Sequence, residues 1–284
     1  MESIQKQVSK GLIRIIMLFF VVVALIPIVF VVSHSLKGEA LILSRFTGES
    51  EISVWQQLII KPFYINLEQF YQVLFRTPQF IKLFWNALGI TIPIVVGQVV
   101  LGILAAYGFS KMKFPGSDKL FFLYVIMMLM PFQVTIVPNY MVLNQLALID
   151  HYGALILPGI FGTFSTFFLK QFMEGIDEAF MEEAQLMGAS DMQIIYYLLV
   201  PMCKPIIVST AMMVFINYWS MVEEPITFIT TKSKYPLSVY LGTIASENIN
   251  IGFACSVLYM LLPLLVVLYG QEDLVSGFRI TSLK

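Results

Sequence analysis

The sequence Glu-Gly-Ile-Asp-Glu-Ala-Phe-Met-Glu-Glu-Ala-Gln-Leu-Met-Gly-Ala-Ser-Asp occupies residues 174–191, and Met-Gln-Ile-Ile-Tyr-Tyr-Leu-Leu-Val-Pro-Met-Cys-Lys-Pro continues it to residue 205. This segment of about 30 residues lies between two apolar runs and is far longer than a connection requires. We predict two short helices, 177–187 and 191–199. Between them Gly188 can adopt the positive φ that ends the first helix, and Ser190 can cap the second.

The first of these helices has an apolar stripe beside an acidic face. Phe180, Ala184 and Met187 recur at spacings of four and three residues, as on one side of a helix. Two interpretations of the stripe remain open. It can dock into a groove on another protein, or it can rest on the ends of the chain's own helices.

The composition of the whole chain indicates a membrane protein. Of its 284 residues, 58% are hydrophobic and 12% are charged, whereas soluble domains average about 45–50% and about 25%. This excludes a soluble enzyme and a disordered chain. The net charge of −1 provides no field for a polyanion, so nucleic acid is excluded as a partner. Membrane lipids are expected to surround the chain.

Six apolar runs are long enough to cross a bilayer as helices. They cover about residues 12–33, 84–107, 120–143, 152–170, 205–229 and 251–270. Runs such as 15–32 lack the two-residue alternation of a membrane β-barrel. The predicted fold class is therefore all-α, a polytopic protein forming a single transmembrane domain over residues 1–284, with a cytoplasmic segment at about 174–204.

The distribution of basic residues predicts the orientation. Six spans place both termini on one side, and ten of the 17 Lys and Arg residues lie on that side, including Lys111, Lys113 and Lys119 in a short turn. Because short basic loops stay in the cytoplasm, both termini are predicted to be cytoplasmic.

Several residues within or beside the spans are unusual for lipid-facing helices. Pro131 and Pro138 predict a kinked third span, either lining a pathway or as an ordinary packing kink. Gly97 and Gly102 indicate close helix packing. Glu223, with Glu224 beside it, predicts either the mouth of a pathway or an interfacial position. Two further residues at span ends, His34 and His151, are predicted to be solvated.

The segment 174–205 resembles the coupling loop of bacterial ABC importer permeases. The resemblance rests on Glu182-Glu183-Ala184, on Gly188-Ala189-Ser190, and on Val200-Pro201, whose proline follows Gly188 by the family's thirteen residues. This chain departs from the family pattern at Glu183, Met187 and Val200. The helix, turn and second helix remain compatible with it.

The resemblance extends over nearly the whole chain. It is closest to the shorter permease of the maltose-type heterodimer in the carbohydrate-uptake group. The matching pieces, in order, are residues 33–37, 66–70, 85–87, 105–116, 131–133, 219–220 and 274–277. The turn Ala-Ala-Tyr-Gly-Phe-Ser-Lys-Met-Lys-Phe-Pro-Gly at 105–116 is especially similar.

The resemblance implies a type I importer permease in the bacterial cytoplasmic membrane. A second permease, a cytosolic ATPase dimer and an extracellular or periplasmic solute-binding protein are its implied partners. Segments 37–82 and 231–250 are the implied landing area for the binding protein. Polar or aromatic side chains that can line the pathway are Gln133, Asn139, Asn217, Tyr218 and Glu223.

The sequence contains no Gly-rich Lys-Ser or Lys-Thr phosphate loop. We therefore expect no enzymatic activity and no cofactor in this chain, with ATP and Mg bound by the partner ATPase. The resemblance implies a sugar or oligosaccharide as the substrate, and aromatic faces and hydrogen-bonding side chains are compatible with sugars.

Two alternative functions remain open from the sequence. One is an ABC permease for glycerol phosphate, a polyamine or another small solute, although no span has Lys or Arg at its middle to attract an anion. The other is a secondary transporter that needs no ATPase. Dependence of uptake on ATP separates the second alternative from the ABC permeases.

Overall fold

The structure, a computed structural model, describes residues 2–37 and 65–281. Most of the predicted landing segment 37–82 lies outside the described residues. The chain divides into two compact units, the first formed by Met1–Phe80 and Leu241–Met260, the second by Ile81–Tyr240 and Leu261–Lys284. The candidate site lies in the second unit.

The described residues form helices and turns without a strand, which confirms the predicted all-α fold class. The helices are α1 (Glu2–Ser35), α2 (Glu68–Tyr71, continued by a π-helical turn at Gln72–Arg76), α3 (Pro78–Lys111), α4 (Ser117–Leu129), α5 (Phe132–Gln145), α6 (Gly153–Ile160), α7 (Phe164–Met173), α8 (Glu178–Leu186), α9 (Asp191–Met202), α10 (Lys204–Trp219), α11 (Glu223–Phe228), α12 (Leu237–Glu247) and α13 (Ile249–Thr281). A 3₁₀ turn lies at Lys232–Lys234.

Four stretches of the described chain are long and apolar enough to cross a membrane. They are Gly11–Ser35, Pro78–Lys111, Gly153–Met173 and Ile249–Gly277. Two bent helix pairs, α4 with α5 and α9 with α10, bring the number of candidate spans to as many as six. The architecture is that of a polytopic helical membrane protein.

The predicted third span consists of two helices rather than one kinked helix. α4 and α5 meet at 101°. The break lies at Met130 and Pro131, both with extended ψ angles of 123° and 146°. The proline ring disfavours a helical conformation at the preceding residue, so Met130 leaves the helix. Pro138 lies within α5, so only Pro131 interrupts the span.

The predicted fifth span, about 205–229, is also wrong as a single helix. α10 ends at Trp219, and α11 is a separate short helix beginning at Glu223. The Ser220 hydroxyl donates to the carbonyl of Ile216 at 2.8 Å and lies 3.2 Å from that of Asn217. Serine side chains compete in this way for backbone groups, which favours termination of the helix there.

The predicted fourth span contains a break that its sequence does not reveal. α6 and α7 are separated at residues 161–163 and both pack against α3. A Cβ at Gly97 would lie 2.6 Å from Ile160 Cγ1, and one at Gly102 would lie 2.7 Å from Ser165 Cβ. Gly97 and Gly102 therefore have the close-packing role predicted for them.

The prediction that His34 is solvated is wrong. His34 is 1% exposed at the end of α1, and its ring lies 4.0 Å from the Phe30 ring and 5.3 Å from the Phe253 ring, between centroids. Its Nδ1 is 2.8 Å from the carbonyl oxygen of Phe30. Packing of α13 over the last turn of α1, within the first unit, buries the imidazole. His151 is exposed, as predicted.

Candidate functional site

The first helix of the 174–204 segment, α8, has well-formed ends. Its amino terminus is capped by Asp177, whose Oδ1 accepts a hydrogen bond from the Ala179 amide at 3.1 Å. At the other end, Gly188 has a φ of +86°, as the sequence predicted. The Gly188 amide donates to the Gln185 carbonyl at 2.9 Å, and the Ala189 amide donates to the Ala184 carbonyl at 3.0 Å. These bonds form a Schellman motif, which fixes a sharp turn.

The second helix, α9, begins at the predicted place but has a different internal form. Its start is fixed by the Ser190 amide, which donates to Gln193 Oε1 at 2.8 Å. From Ile194 to Leu199 the helix is π-helical, and a final α-turn runs to Met202. Pro201 has no N–H to offer the carbonyl of Tyr197, so a regular α-helical ladder cannot continue there. The axis then turns by 82° into α10.

The inner faces of α8 and α9 anchor the segment to the spanning helices. Met181 of α8 and Ile194, Ile195 and Leu199 of α9 are buried. They belong to one apolar cluster with Ala106, Tyr107, Leu169, Met173, Cys203 and Ile206. The turn and both helices are therefore held as one body on the ends of α3, α7 and α10.

The predicted apolar stripe of α8 is distinct from this buried row. Phe180 is 49% exposed and Met187 is 77% exposed, while Ala184 is half-buried beside the core. The stripe borders an open groove of about 570 Å³ between α8 and α9. The groove is lined by Phe180, Glu183, Ala184, Met187, Gly188, Ala189, Gln193, Ile194, Tyr197 and Leu198. Of the two interpretations of the stripe, the geometry favours a docking surface.

Four of the seven predicted coupling residues line this groove: Glu183, Ala184, Gly188 and Ala189. Glu182, Glu183, Gly188, Ser190 and Pro201 are exposed, and Ala184 and Ala189 are half-buried. Close to them, Lys113 Nζ bonds to Glu178 Oε2 at 2.9 Å. This hydrogen bond lowers the pKa of Glu178 and raises the pKa of Lys113, so both groups are charged at neutral pH.

The five predicted pathway residues are only partly brought together. Gln133 Nε2 lies 3.2 Å from Glu223 Oε2, joining the start of α5 to the start of α11. The Tyr218 hydroxyl instead faces the Gly159 carbonyl at 3.5 Å. Asn139 is half-buried and Asn217 is exposed, and in the described part of the chain neither hydrogen-bonds to the others. The structure thus places one polar pair at the break in the third span.

The sequence interpretation did not identify a cluster around Asp150, in the loop before α6. Its Oδ1 accepts from the amides of Thr230 and Thr231 at 3.0 and 2.8 Å, and its Oδ2 accepts from Lys234 Nζ at 2.9 Å. Residues 174–204 are the coupling segment. We call residues 228–238 the remote loop, because the Gly153–Met173 span separates Asp150 from the coupling segment. Asn86 also holds this loop, donating to the Ser233 and Tyr235 carbonyls.

Loss of the Asp150 carboxylate is expected to release the remote loop. In Asp150→Ala, four protein donors, including the Thr231 hydroxyl, lose their acceptor. We therefore expect trypsin to cleave the native protein after Lys232 or Lys234 severalfold faster than in the wild type. Asp118→Ala removes an exposed carboxylate at the start of α4 and serves as the control. Equal cleavage rates for wild type and Asp150→Ala would contradict the role of Asp150.

The hydrogen bonds around Asp150 make the stability of the protein depend on pH. The hydrogen bonds from Lys234 and then Thr231 hold the pKa of Asp150 well below its ordinary value. A carboxylate with a lowered native pKa stabilises the fold fully above its unfolded pKa of about 3.9, and loses this contribution as the pH falls through its native pKa. The difference in melting temperature between wild type and Asp150→Ala is therefore expected to stay constant down to about pH 5 and to shrink only below about pH 4.

Comparison with known proteins agrees with this architecture. Residues 98–275, more than half of the chain, match the family described as binding-protein-dependent transport system inner membrane component. The chain is 24% identical to an arabinooligosaccharides transport system permease protein of Halalkalibacterium halodurans, over 80% of this chain and 82% of that protein. It is 28% identical to an sn-glycerol-3-phosphate transport system permease protein of Pectobacterium atrosepticum, over 71% of this chain and 74% of that protein.

A solved structure has the same fold. It is a chain of a bacterial ABC transporter involved in the import of the acidic polysaccharide alginate, with a TM-score of 0.77, 20% identity, and coverage of 94% of this chain and 96% of that chain. The protein therefore belongs to the family of binding-protein-dependent transport system inner membrane components, as a multi-pass permease with the type I ABC importer fold.

Proposed function

We propose that this permease moves a sugar or oligosaccharide into a bacterial cell, driven by a separate ATPase that docks on the segment from residue 174 to 204. The observation that carries this proposal is the exposed groove between α8 and α9, which is built on a rigid turn and lined by apolar side chains. A monomeric protein seldom exposes such a surface without a partner.

The chemistry of the groove suits a partner with apolar and basic side chains. Phe180 and Met187 offer apolar contact, and Glu182 and Glu183 offer exposed carboxylates on the same short helix. Glu182 is the candidate for an ion pair with a basic residue of the ATPase. The half-buried Ala184 keeps this face of α8 thin enough to enter a cleft. Closure of the ATPase around ATP and Mg then rocks the helices between two states.

The other partners follow from the same assignment. The segment 174–204 and both termini are cytoplasmic in this proposal, and the remote loop is on the outer side, where a solute-binding protein delivers substrate. The region Thr231–Asn250 is its proposed landing area. Asp150 and Asn86 support this assignment because they hold the remote loop in a defined shape. A second permease subunit completes the pathway.

A carbohydrate substrate is supported by the arabinooligosaccharide relative and by the side chains available along the proposed pathway. Gln133 and Glu223 form a hydrogen-bonding pair, and Tyr218 offers an aromatic ring. Neutral hydroxyl groups bind to side chains of this kind.

Glycerol phosphate is the second candidate, because three of the relatives are named for its transport. An anionic substrate is expected to need a cation within the pathway. Lys170 is buried near the end of α7, but its ammonium bonds to Glu174 Oε1 at 2.5 Å and lies 4.0 Å from the centre of the Phe121 ring. Because the Lys170 ammonium is already paired with Glu174, it is a poor ligand for a phosphate group. Its pairing therefore favours a neutral sugar over glycerol phosphate as the substrate.

The test begins with the tagged chain purified in mild detergent from its own host. Mass spectrometry of the co-purifying subunits should identify an ATPase, a second permease and a solute-binding protein. The complex is then reconstituted in liposomes, and uptake of labelled arabinooligosaccharides and glycerol phosphate is measured. Uptake should require internal ATP and should persist after an ionophore collapses the ion gradients. Uptake that follows the ion gradient and ignores ATP would contradict the proposal.

A further inference from the structure

The turn at 105–116 at the end of α3 carries three polar side chains that reach the coupling segment. The Tyr107 hydroxyl donates to Asp191 Oδ1 at 2.8 Å. Lys111 Nζ donates to the Ile176 carbonyl at 2.6 Å, and Lys113 Nζ bonds to Glu178. Glu178 is the first residue of α8 and Ile176 lies just before this helix, while Asp191 is the first residue of α9. The end of α3 and the residues just after it therefore contact both helices of the coupling segment.

The three contacts differ in strength. The Lys113 and Glu178 side chains are 82% and 52% exposed, and ion pairs of this kind in water contribute little. Tyr107 is only 5% exposed, and its hydroxyl bonds to a carboxylate. A hydrogen bond to an ionised acceptor is roughly twice as strong as a neutral one. Tyr107 is thus the strongest polar link between α3 and α9.

α3 continues from this link to the opposite end of the unit. Tyr107 and Asn86 belong to the same helix, and their 21-residue separation corresponds to about 30 Å. Asn86 bonds to the Ser233 and Tyr235 carbonyls of the remote loop. A single helix is therefore hydrogen-bonded to the coupling segment at one end and to the remote loop at the other.

We propose that Tyr107 is a positioning residue that transmits movement of the coupling segment through α3 to the remote loop. The inference rests on the proposed function, in which an ATPase moves α8 and α9. Apolar contacts beneath these helices are non-directional, whereas the bond from Tyr107 to Asp191 is directional and fixes the registration of α9 against α3. Without this bond, the ATPase still docks and hydrolyses ATP, but less of the movement of α8 and α9 is transmitted to α3.

The test compares Tyr107→Phe with wild type in the reconstituted complex. Three quantities are measured: co-purified ATPase per permease, the rate of ATP hydrolysis, and substrate taken up per ATP. We expect Tyr107→Phe to retain the ATPase and its hydrolysis, while uptake per ATP falls about tenfold, the effect of losing one hydrogen bond to a charged group. Tyr269→Phe, at an 89% exposed tyrosine on α13, is the matched control and should equal wild type.

Substitutions of Asp191, which accepts the hydrogen bond from Tyr107, distinguish loss of this bond from a general effect on folding. Asp191 is exposed, so Asp191→Ala leaves the buried cluster intact and should reproduce the loss of coupling if Tyr107→Phe fails to accumulate. Asp191→Asn keeps an acceptor oxygen and should restore most of the uptake per ATP. Wild-type uptake per ATP in Asp191→Ala and in Tyr107→Phe would overturn the inference. Absence of ATP-driven uptake in the wild type would instead overturn the proposed function.

Discussion

Gly188→Val is expected to lower ATP-driven uptake at least about tenfold and to reduce the ATPase that co-purifies with the permease. Gly188 has a φ of +86° at the turn between α8 and α9. For an L-residue the left-handed region costs about 1–2 kcal/mol, and a branched Cβ makes it still less accessible. The turn must therefore open, which separates Ala184 from Ala189 and changes the shape of the groove.

A substitution series at this position distinguishes backbone strain from steric blockage. A Cβ at Gly188 would meet nothing within 4 Å among the described residues, so the first added carbon causes no clash within the chain. Asparagine tolerates the left-handed region, so Gly188→Asn should retain much more uptake than Gly188→Val. Equal loss in both variants would show that the partner needs the space above Gly188. Wild-type co-purification and uptake in Gly188→Val would contradict the docking proposal altogether.

Gly102→Ala is expected to reduce the amount of folded permease and to lower its melting temperature in detergent. The new Cβ would lie 2.7 Å from Ser165 Cβ and 3.2 Å from the backbone carbon of Ser165 on α7. Backbone atoms cannot rotate away, so α3 and α7 must separate. Overpacking of this kind costs about 1–3 kcal/mol. The separation would also disturb the buried cluster beneath α8 and α9.

The same helix offers matched controls for this prediction. Gly89 and Gly108 also lie on α3, and a Cβ at either would meet nothing within 4 Å. Gly89→Ala and Gly108→Ala should therefore fold normally, or gain up to about 1 kcal/mol because alanine favours a helix. Melting followed by size-exclusion chromatography measures all three variants. A Gly102→Ala protein as stable as Gly89→Ala would contradict the close packing of α3 and α7.

Features that depend on nearby residues could be predicted from the sequence. The turn at Gly188 and the start of α9 at Ser190 are fixed by hydrogen bonds between groups a few residues apart. Pro131 and Pro138 predicted a kink in the third span; the structure has a full break at Pro131, which follows from the covalent geometry of proline and the residue before it. The small residues Gly97 and Gly102 likewise indicated a packed face, although not which helix packs there.

Features that depend on distant residues were missed or predicted incorrectly. His34 is buried by Phe253, which is far away in the sequence. Tyr107 and Asp191 are 84 residues apart, and Asp150 and Thr231 are 81 apart. Nothing in the local pattern around any of these residues indicates its partner. The single long fifth span was wrong because hydropathy alone does not reveal the helix end at Ser220.

The sequence by itself determined that this protein lies in a membrane as helices and carries a helix, glycine turn and second helix between two spans. Those properties depend on hydropathy, charge and backbone preference, which act within a few turns of the chain. Only the tertiary structure decided which face of α8 is buried, through Met181, and which face remains open at Phe180 and Met187. Periodicity places residues on a face, but only packing against α3, α7 and α10 selects the face that is covered.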